Sequence, residues 1–587
     1  MRVNGKLLLF GVCFIMAIPL FSQNVFLELS LNNRGMQSMV RPARPGLELE
    51  LLRVIERAGK DNRISGIILN ISSYDAEQET AWELRNALEK FKTSGKKVCA
   101  FLSAANLDLY CLATVADRIV MDEQGTLMLT GYTWSRGYVR NTLEKLGIGV
   151  RELRYLEYKS AAETYTRDSM SDADRLQYGE ILDDIMNLTC VTITTARSWT
   201  ADQFDSVLND FMFSARSALA RGLVDRTGRK DAVLEAVNEI SAGTSGAAGT
   251  DVKTFVVYGD SDSSITGSKN SYGPNKAGGL LSRPPVIAIV HANGVTDLER
   301  GISARNTAGI IRELTENRRV KAMVIRINSP GGSAEAADYI AEAINNAKKR
   351  KPVVVSMGAV AASGGYWASM SASHIMASPV TITGSIGVIG SWFYDKGLGN
   401  KLGLTVDSMQ RGDHADLLTG IILPHRDLNQ EEEARYREYI LNTYGDFTTK
   451  IAAYRNMDIE QVESAARGRV FSGIGAFNAG LIDSIGGLDD AIQMARNLAG
   501  IPKDKKVVYG EFPKPRFIDK LMDHVLSTRV LSAHLLSARA RIPGANAGAT
   551  IFTDLFLPVS LLEDIRFRVT QNGRPMPILP FDSGLLK

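Results

Sequence analysis

The sequence predicts an α/β protein made of two homologous domains in tandem. Three observations carry that reading. Short β-branched apolar runs alternate with amphipathic helical stretches, the pattern of parallel βαβ units. The two halves of the chain repeat one another at a nearly constant offset. Between them, residues 243–284 shift to Gly, Ser, Asn and Asp, interrupted by the apolar run Phe255–Tyr258, which is the composition of a connector.

In chain order, the first 23 residues stand apart. Arg2 and Lys6 precede an apolar run from Leu7 to Phe21, closed by Ser22 and Gln23. That layout is an export signal or a membrane anchor, and the run is short for a spanning helix. Either reading puts the body of the chain on the extracytoplasmic side of a bacterial inner membrane.

Residues 24–242 form the first predicted domain. Ile67–Ile71 and Val98–Leu102 read as strands with a helix over Thr80–Phe91 between them, and Ser171 with Asp174 three residues on forms a helix N-cap signal. Pro284-Pro285 introduce a fresh strand, Val286–Val290, that opens the second domain, residues 285–500. Asn62–Ile68 aligns with Arg318–Val324. Tyr110 aligns with Tyr366 and Leu146–Val150 with Leu402–Val406, each at an offset of 256. Phe213-Ser214 aligns with Phe471-Ser472 and Gly222–Asp225 with Gly480–Asp483, at an offset of 258. A chance match does not hold register over so much chain. Residues 501–587, with an apolar cluster at Ile551–Leu562, form an extension to which no chemical role is assigned.

Composition narrows the partners. A net charge of +3 in 587 residues gives no reason to expect nucleic acid. Four cysteines (Cys13, Cys99, Cys111, Cys190) are too few and too scattered for a disulfide framework. The six histidines show no ligand spacing, so neither a metal nor a cofactor is expected.

The chemistry is concentrated in residues 351–390. Val353–Val355 reads as a buried strand that ends in Ala361-Ala362-Ser363-Gly364-Gly365, with Tyr366 starting a helix. Residues this small leave the Ser363 hydroxyl open to a substrate, and the Gly364 amide at the helix N-terminus points at a developing oxyanion. Pro330-Gly331-Gly332, after another strand, forms a turn whose glycine amides approach a substrate oxygen closely. The first half has Leu107 where the second has Ser363, and Tyr74-Asp75-Ala76 where the second has that turn. It has Lys159, however, where the second half has Ala415. A lysine in a partly apolar site serves as a base for a serine hydroxyl, because desolvation disfavours its charged form. The reciprocal losses predict one site shared by both halves.

Four motifs complete the pattern: Tyr158-Lys159-Ser160-Ala161, Ser329-Pro330-Gly331-Gly332-Ser333, Ala362-Ser363-Gly364-Gly365-Tyr366-Trp367 and Thr383-Gly384-Ser385-Ile386-Gly387-Val388. Over roughly residues 45–500 the chain resembles the signal peptide peptidase A family, in its long two-domain form. The resemblance implies tandem Clp protease/crotonase-like domains, each a repeated ββα superhelix. It implies Ser363 as nucleophile, Lys159 as general base and Ser385 as the partner orienting the lysine. Gly331, Gly332 and Gly364 fall in the oxyanion hole. It further implies a membrane-anchored homo-oligomer, a tetramer, that cleaves signal-peptide remnants and other extended apolar peptides without a cofactor. Two departures stand out: Glu163-Thr164-Tyr165 replaces the usual Glu-Pro-Phe, and the last 80 or so residues match little of the family.

Two other classes share features with this reading. A crotonase-like acyl-CoA enzyme has the fold and the amide pair but needs no serine–lysine pair, and an exported location lacks CoA. A non-catalytic assembly scaffold has no reason to keep every motif. A Ser-His-Asp hydrolase needs a histidine, and the nearest, His374 and His414, lie outside the motifs and read as structural.

Overall fold

The computed structural model describes residues 25–32, 47–73, 77–242 and 284–514. The N-terminal segment 1–23, positions 74–76, the 243–283 part of the connector and the Ile551–Leu562 cluster lie outside the described residues.

Near-continuous apolar runs make strands buried on both faces, the mark of parallel sheets covered by helices. The first repeat carries β1 (Val25–Asn32), β2 (Ile64–Ser73), β3 (Lys97–Ala105), β4 (Arg118–Met128), β5 (Ile148–Leu153), β6 (Met212–Ser214) and β7 (Arg226–Thr227). Its sheet runs β1-β2-β3-β4-β6, with β7 also on β4; β6 is antiparallel and the other pairs are parallel. The second repeat carries β8 (Val286–Asn293), β9 (Val320–Ser329), β10 (Val353–Ala362), β11 (His374–Ala377), β12 (Ile382–Gly384), β13 (Gly390–Asp395), β14 (Val470–Phe471), β15 (Ser484–Ile485) and β16 (Val508–Phe512). Its sheet runs β14-β12-β10-β9-β8-β16, with β11 beside β10 and β15. The stretch beyond residue 500 therefore opens with a strand, β16, that pairs in parallel with β8.

The helices used below are α1 (Leu47–Lys60), α2 (Gln78–Lys92), α3 (Leu107–Ala113), α4 (Asp172–Arg197), α5 (Ala334–Lys348), α6 (Gly364–Ser369), α7 (Gln430–Arg455) and α8 (Leu488–Leu498). The duplication is visible bond for bond. Tyr110 Oη donates to Leu223 O at 2.8 Å, and Tyr366 Oη donates to Leu481 O at 2.8 Å. Helices α4 and α7 are each 26 residues long, N-capped by Ser171 and Asn429 at the same repeat position.

Three contacts of different kinds stand out among those that join the repeats. One apolar core mixes Leu84 and Leu88 of α2 with Ile287, Ile289, Val324, Val354 and Ile492 of the second repeat. Strands β5 and β13, one from each repeat, make an antiparallel pair from Ile148 opposite Asp395 to Leu153 opposite Gly390. Its register depends on Gly149, because a Cβ there would lie 2.2 Å from the Tyr394 ring. The third contact is ionic. Arg326 on β9, 4% exposed, donates to Glu83 Oε1 at 2.9 Å, to Glu48 Oε1 at 2.7 Å and to Glu79 Oε1, and also to Ser356 Oγ and Met357 O.

One guanidinium against three carboxylates leaves negative charge in a buried seam, where it is costly. Burial pushes the Glu83 carboxyl well above the ordinary carboxylate range; Arg326 opposes the shift, and Glu79 and Glu48 add to it. A carboxyl whose folded-state pKa is raised stabilises the fold at low pH and loses that contribution as pH rises through the folded pKa. Glu83→Gln mimics the protonated form. Thermal melts should show the variant level with wild type at pH 5 and increasingly more stable toward pH 9; a difference flat across that range would remove the assignment.

Candidate active site

Strand β10 is apolar and buried almost throughout and stops at Ser363, which takes φ 56° and ψ −112°. Few L-residues adopt that conformation, and strain of this kind persists where surrounding bonds over-determine it. Here they do: Ser363 N donates to Gly384 O and Trp367 N donates to Ser363 O, both at 2.8 Å. The small residues around it are required by space. A Cβ on Gly365 would lie 2.7 Å from Ser329 O, and one on Gly364 would lie 3.1 Å from Gly332 N and 3.2 Å from Thr296 Oγ1.

The turn after β9 supplies the facing wall. Gly331 and Gly332 take φ 111° and 150°, and a Cβ on Gly332 would strike Thr296 O at 2.1 Å. The Gly331 amide, expected to share in the oxyanion hole, is donated instead to Ser329 Oγ at 3.2 Å, and Ser329 Oγ is itself bonded to Thr296 Oγ1 at 3.1 Å. Among the described residues no acceptor is bonded to the Gly332 or Gly364 amide. That leaves these two N–H groups, close together beside Ser363, for a substrate oxygen.

Lys159 enters from the other repeat, on the loop after β5. Its Nζ lies 2.6 Å from Ser363 Oγ, 2.7 Å from Ser385 O and 2.9 Å from Ser385 Oγ, and all three residues have no solvent exposure. Ser385 is presented by another left-handed turn, with Gly384 at φ 77° and Ser385 at φ 51°. Its amide is tied to Arg469 O at 2.6 Å. Ser363, Lys159 and Ser385, predicted from motifs spread over 227 positions of the chain, thus meet at one point.

Residues that the motif reading did not single out hold the lysine loop. Gly468, at φ 88°, packs so closely that a Cβ would lie 2.5 Å from Lys159 N and 2.7 Å from its Cα. Tyr158 N donates to Arg467 O. Ser160 Oγ donates to Asp174, which is fully buried and ion-paired to Arg136 at 2.9 Å. Burial raises the Asp174 carboxyl above its ordinary range, against the pull of Arg136. The variant Glu163-Thr164-Tyr165 stretch is absorbed locally: Glu163 pairs with Arg154 at 2.6 Å, and Tyr165 packs edge-on to Phe393.

The repeat positions that lost function behave accordingly. Leu107 opens α3 as a buried core residue, and Ala415 is exposed on a surface turn. His374 is bonded to Ser484 and His414 to Glu432, so neither is engaged with Ser363. A hydroxyl on an amine, facing two unspent amides, is equipped for acyl transfer.

Comparison with known proteins agrees with this geometry. The model of peptidase family S49 matches residues 90–243 and 345–502, one block in each repeat, and the Clp protease model matches residues 295–380. Serine protease SPPA, chloroplastic, of Arabidopsis thaliana is 30% identical over 473 residues, covering 80% of this chain and 68% of the relative. Protease 4 of Salmonella typhi is 30% identical over 509 residues, covering 86% of this chain and 80% of the relative. Protease 4 of Haemophilus influenzae is 28% identical over 477 residues, covering 78% and 74%. The chain therefore belongs to peptidase family S49: it is a serine protease built from two tandem Clp/crotonase-like domains.

Proposed function

We propose that this protease is a membrane-associated endopeptidase that works through a Ser363–Lys159 dyad on signal-peptide remnants left after preprotein processing. The observation that carries the reading is the 2.6 Å contact between Lys159 Nζ and Ser363 Oγ, made across the repeats between two fully buried side chains. A neutral amine has two N–H groups and one lone pair. Ser385 O and Ser385 Oγ take the two N–H groups, which turns the lone pair toward the Ser363 hydroxyl. Burial disfavours the ammonium form, which suits a base.

Ser363 Oγ attacks the scissile carbonyl carbon while Lys159 takes its proton. The carbonyl oxygen becomes the oxyanion, held by the Gly332 and Gly364 amides. Lys159 then returns the proton to the leaving amine, the C–N bond breaks and an acyl-enzyme remains. A water deprotonated by the same amine hydrolyses the ester. Small and medium apolar residues in extended segments fit the expected substrates.

Membrane association rests on the Arg2–Phe21 pattern, with the domains on the extracytoplasmic face of a bacterial inner membrane; among the described residues no helix is long and apolar enough to cross a membrane. Assembly into a homo-oligomer, a tetramer by resemblance, is supported by the duplication itself. Strand β5 of the first repeat pairs with β13 of the second. At the 256-residue offset their counterparts are residues 404–409 and 134–139, which form no strand among the described residues. Residues 405–415 are exposed, Val406 and Met409 among them, whereas the counterpart segment holds buried Lys159. Carrying the β5–β13 register onto a neighbouring copy sets Met409 opposite Trp134, Ser408 opposite Ser135 and Asp407 opposite Arg136.

Two outcomes test these readings. In peptide-hydrolysis assays Ser363→Ala and Lys159→Arg should each lose at least about 1,000-fold in kcat while keeping the wild-type circular dichroism spectrum, since arginine stays protonated. Residues 280–587 expressed alone should be inactive even when folded, and a near-wild-type rate from that fragment would rule out Lys159 as base. For assembly, a chain carrying both Ser135→Cys and Ser408→Cys should oxidise to a ladder of covalent multimers. Either single variant should give no ladder. A double variant that runs as an uncrosslinked monomer would overturn the arrangement.

A further inference from the structure

Gln177 lies on α4, close to Asp174 along the helix, and is fully buried. Its carboxamide is used at both ends. Oε1 accepts from Val470 N at 3.1 Å, while Nε2 donates to Tyr158 O at 3.2 Å, Ser160 Oγ at 3.3 Å and Asp174 Oδ1 at 3.0 Å. Tyr158 and Ser160 flank Lys159 on either side. Val470 pairs with Gly384 across β12 and β14, and it follows Arg469, whose carbonyl anchors Ser385. The bonds close a circuit. It runs from the Lys159 amine to Ser385, through Arg469 and Val470 of the second repeat, into Gln177, and back through Tyr158 and Ser160 to the Lys159 backbone.

The duplication supplies an independent observation. At the 258-residue offset shared by the Ser171 and Asn429 caps, the counterpart of Gln177 is Arg435 on α7, whose side chain is 74% exposed. The counterpart of Lys159 is Ala415. The buried amide is kept in the repeat that keeps the lysine and is absent from the one that lost it.

We propose that Gln177 is a positioning residue: it sets where the Lys159 amine stands against Ser363 by tying the lysine loop of one repeat to strand β14 of the other. This rests on the dyad reading above. The role calls for a carboxamide, which both donates and accepts at that length. An apolar side chain leaves the Val470 N–H and the Tyr158 carbonyl buried and unpaired, and an ionised carboxylate faces Tyr158 O and Asp174 with acceptor against acceptor.

Asp184 provides the control. It lies two turns further along α4 and crosses to the second repeat as well, accepting from Ser472 Oγ, but it makes no bond to the lysine loop. Full-length wild type, Gln177→Leu, Gln177→Glu, Asp184→Ala and Lys159→Met are compared for kcat and KM of peptide hydrolysis and for the thermal midpoint. Gln177→Leu should lose about 10- to 100-fold in kcat with KM within about twofold, the size expected of a displacement of order 1 Å. Asp184→Ala should lose thermal stability with kcat within about twofold. Gln177→Glu regains a donor when protonated, so its kcat relative to wild type at each pH should recover as pH falls; this variant carries the test if Gln177→Leu does not fold. A Gln177→Leu enzyme within twofold of wild type, an equal kcat loss in Asp184→Ala, or a Gln177→Glu ratio that does not change with pH would overturn the proposal. An active Lys159→Met would instead overturn the dyad, a separate result.

Discussion

The Lys159 amine is held, out of contact with water, by two hydroxyls and a carbonyl that belong to the other repeat. Three distances between 2.6 and 2.9 Å have to be met at once by a flexible side chain arriving across a domain boundary. No local structure can guarantee that. The shared apolar core, the β5–β13 pair and the Arg326 seam fix the two repeats as bodies, and Gly468 and Ser160 then fix the loop that carries the lysine. The strained backbone at Ser363 and Ser385 belongs to the same requirement. Both serines are turned out of their strands so that their oxygens face a group brought from outside.

Much of this was readable from the chain. The strand–small-residue–helix pattern around Ser363 is local, and the duplication made the absence of serine at Leu107 and of lysine at Ala415 informative. The same offset predicted matching elements, and the paired tyrosine bonds to Leu223 and Leu481 follow it. What escaped depends on three-dimensional proximity rather than local pattern. Gly331 reads as an oxyanion donor from its turn, but the Ser329 hydroxyl two residues back takes its amide. Arg326 and its three glutamates are more than 240 positions apart and carry no spacing signal. Asp174 was visible only as a cap partner of Ser171, although its carboxylate also holds Ser160.

Division of the site also changes what each repeat must conserve. The second repeat keeps Ser363, Ser385 and the two amides, all in turns that follow its own strands, so in the proposed mechanism its local geometry carries the oxyanion and the nucleophile. The first repeat contributes one side chain and the scaffold to aim it. Its α4 presents Gln177, Glu180 and Asp184 on one stripe toward the second repeat, while Tyr178, Ile181 and Ile185 pack on Val360, Ile382 and Val470. A helix in contact along both a polar and an apolar stripe has little freedom to rotate, and of its polar stripe it is Gln177 that bonds to the lysine loop.

The seam at Arg326 also has a history within each molecule. Synthesis runs from the N-terminus, and Arg326 follows the last described residue of the first repeat, Ala242, by 84 residues. At about 5–20 residues per second, that separation is on the order of 4–17 s. Throughout that interval the first repeat exists with three clustered carboxylates and no guanidinium to receive them. Charges in that position keep their surface hydrated, so the face that will meet the second repeat cannot close on an apolar stranger while it waits. The arginine that completes the seam is thus also the one that releases it from water, and it arrives on the strand that leads directly into the Ser329–Gly332 wall of the active site.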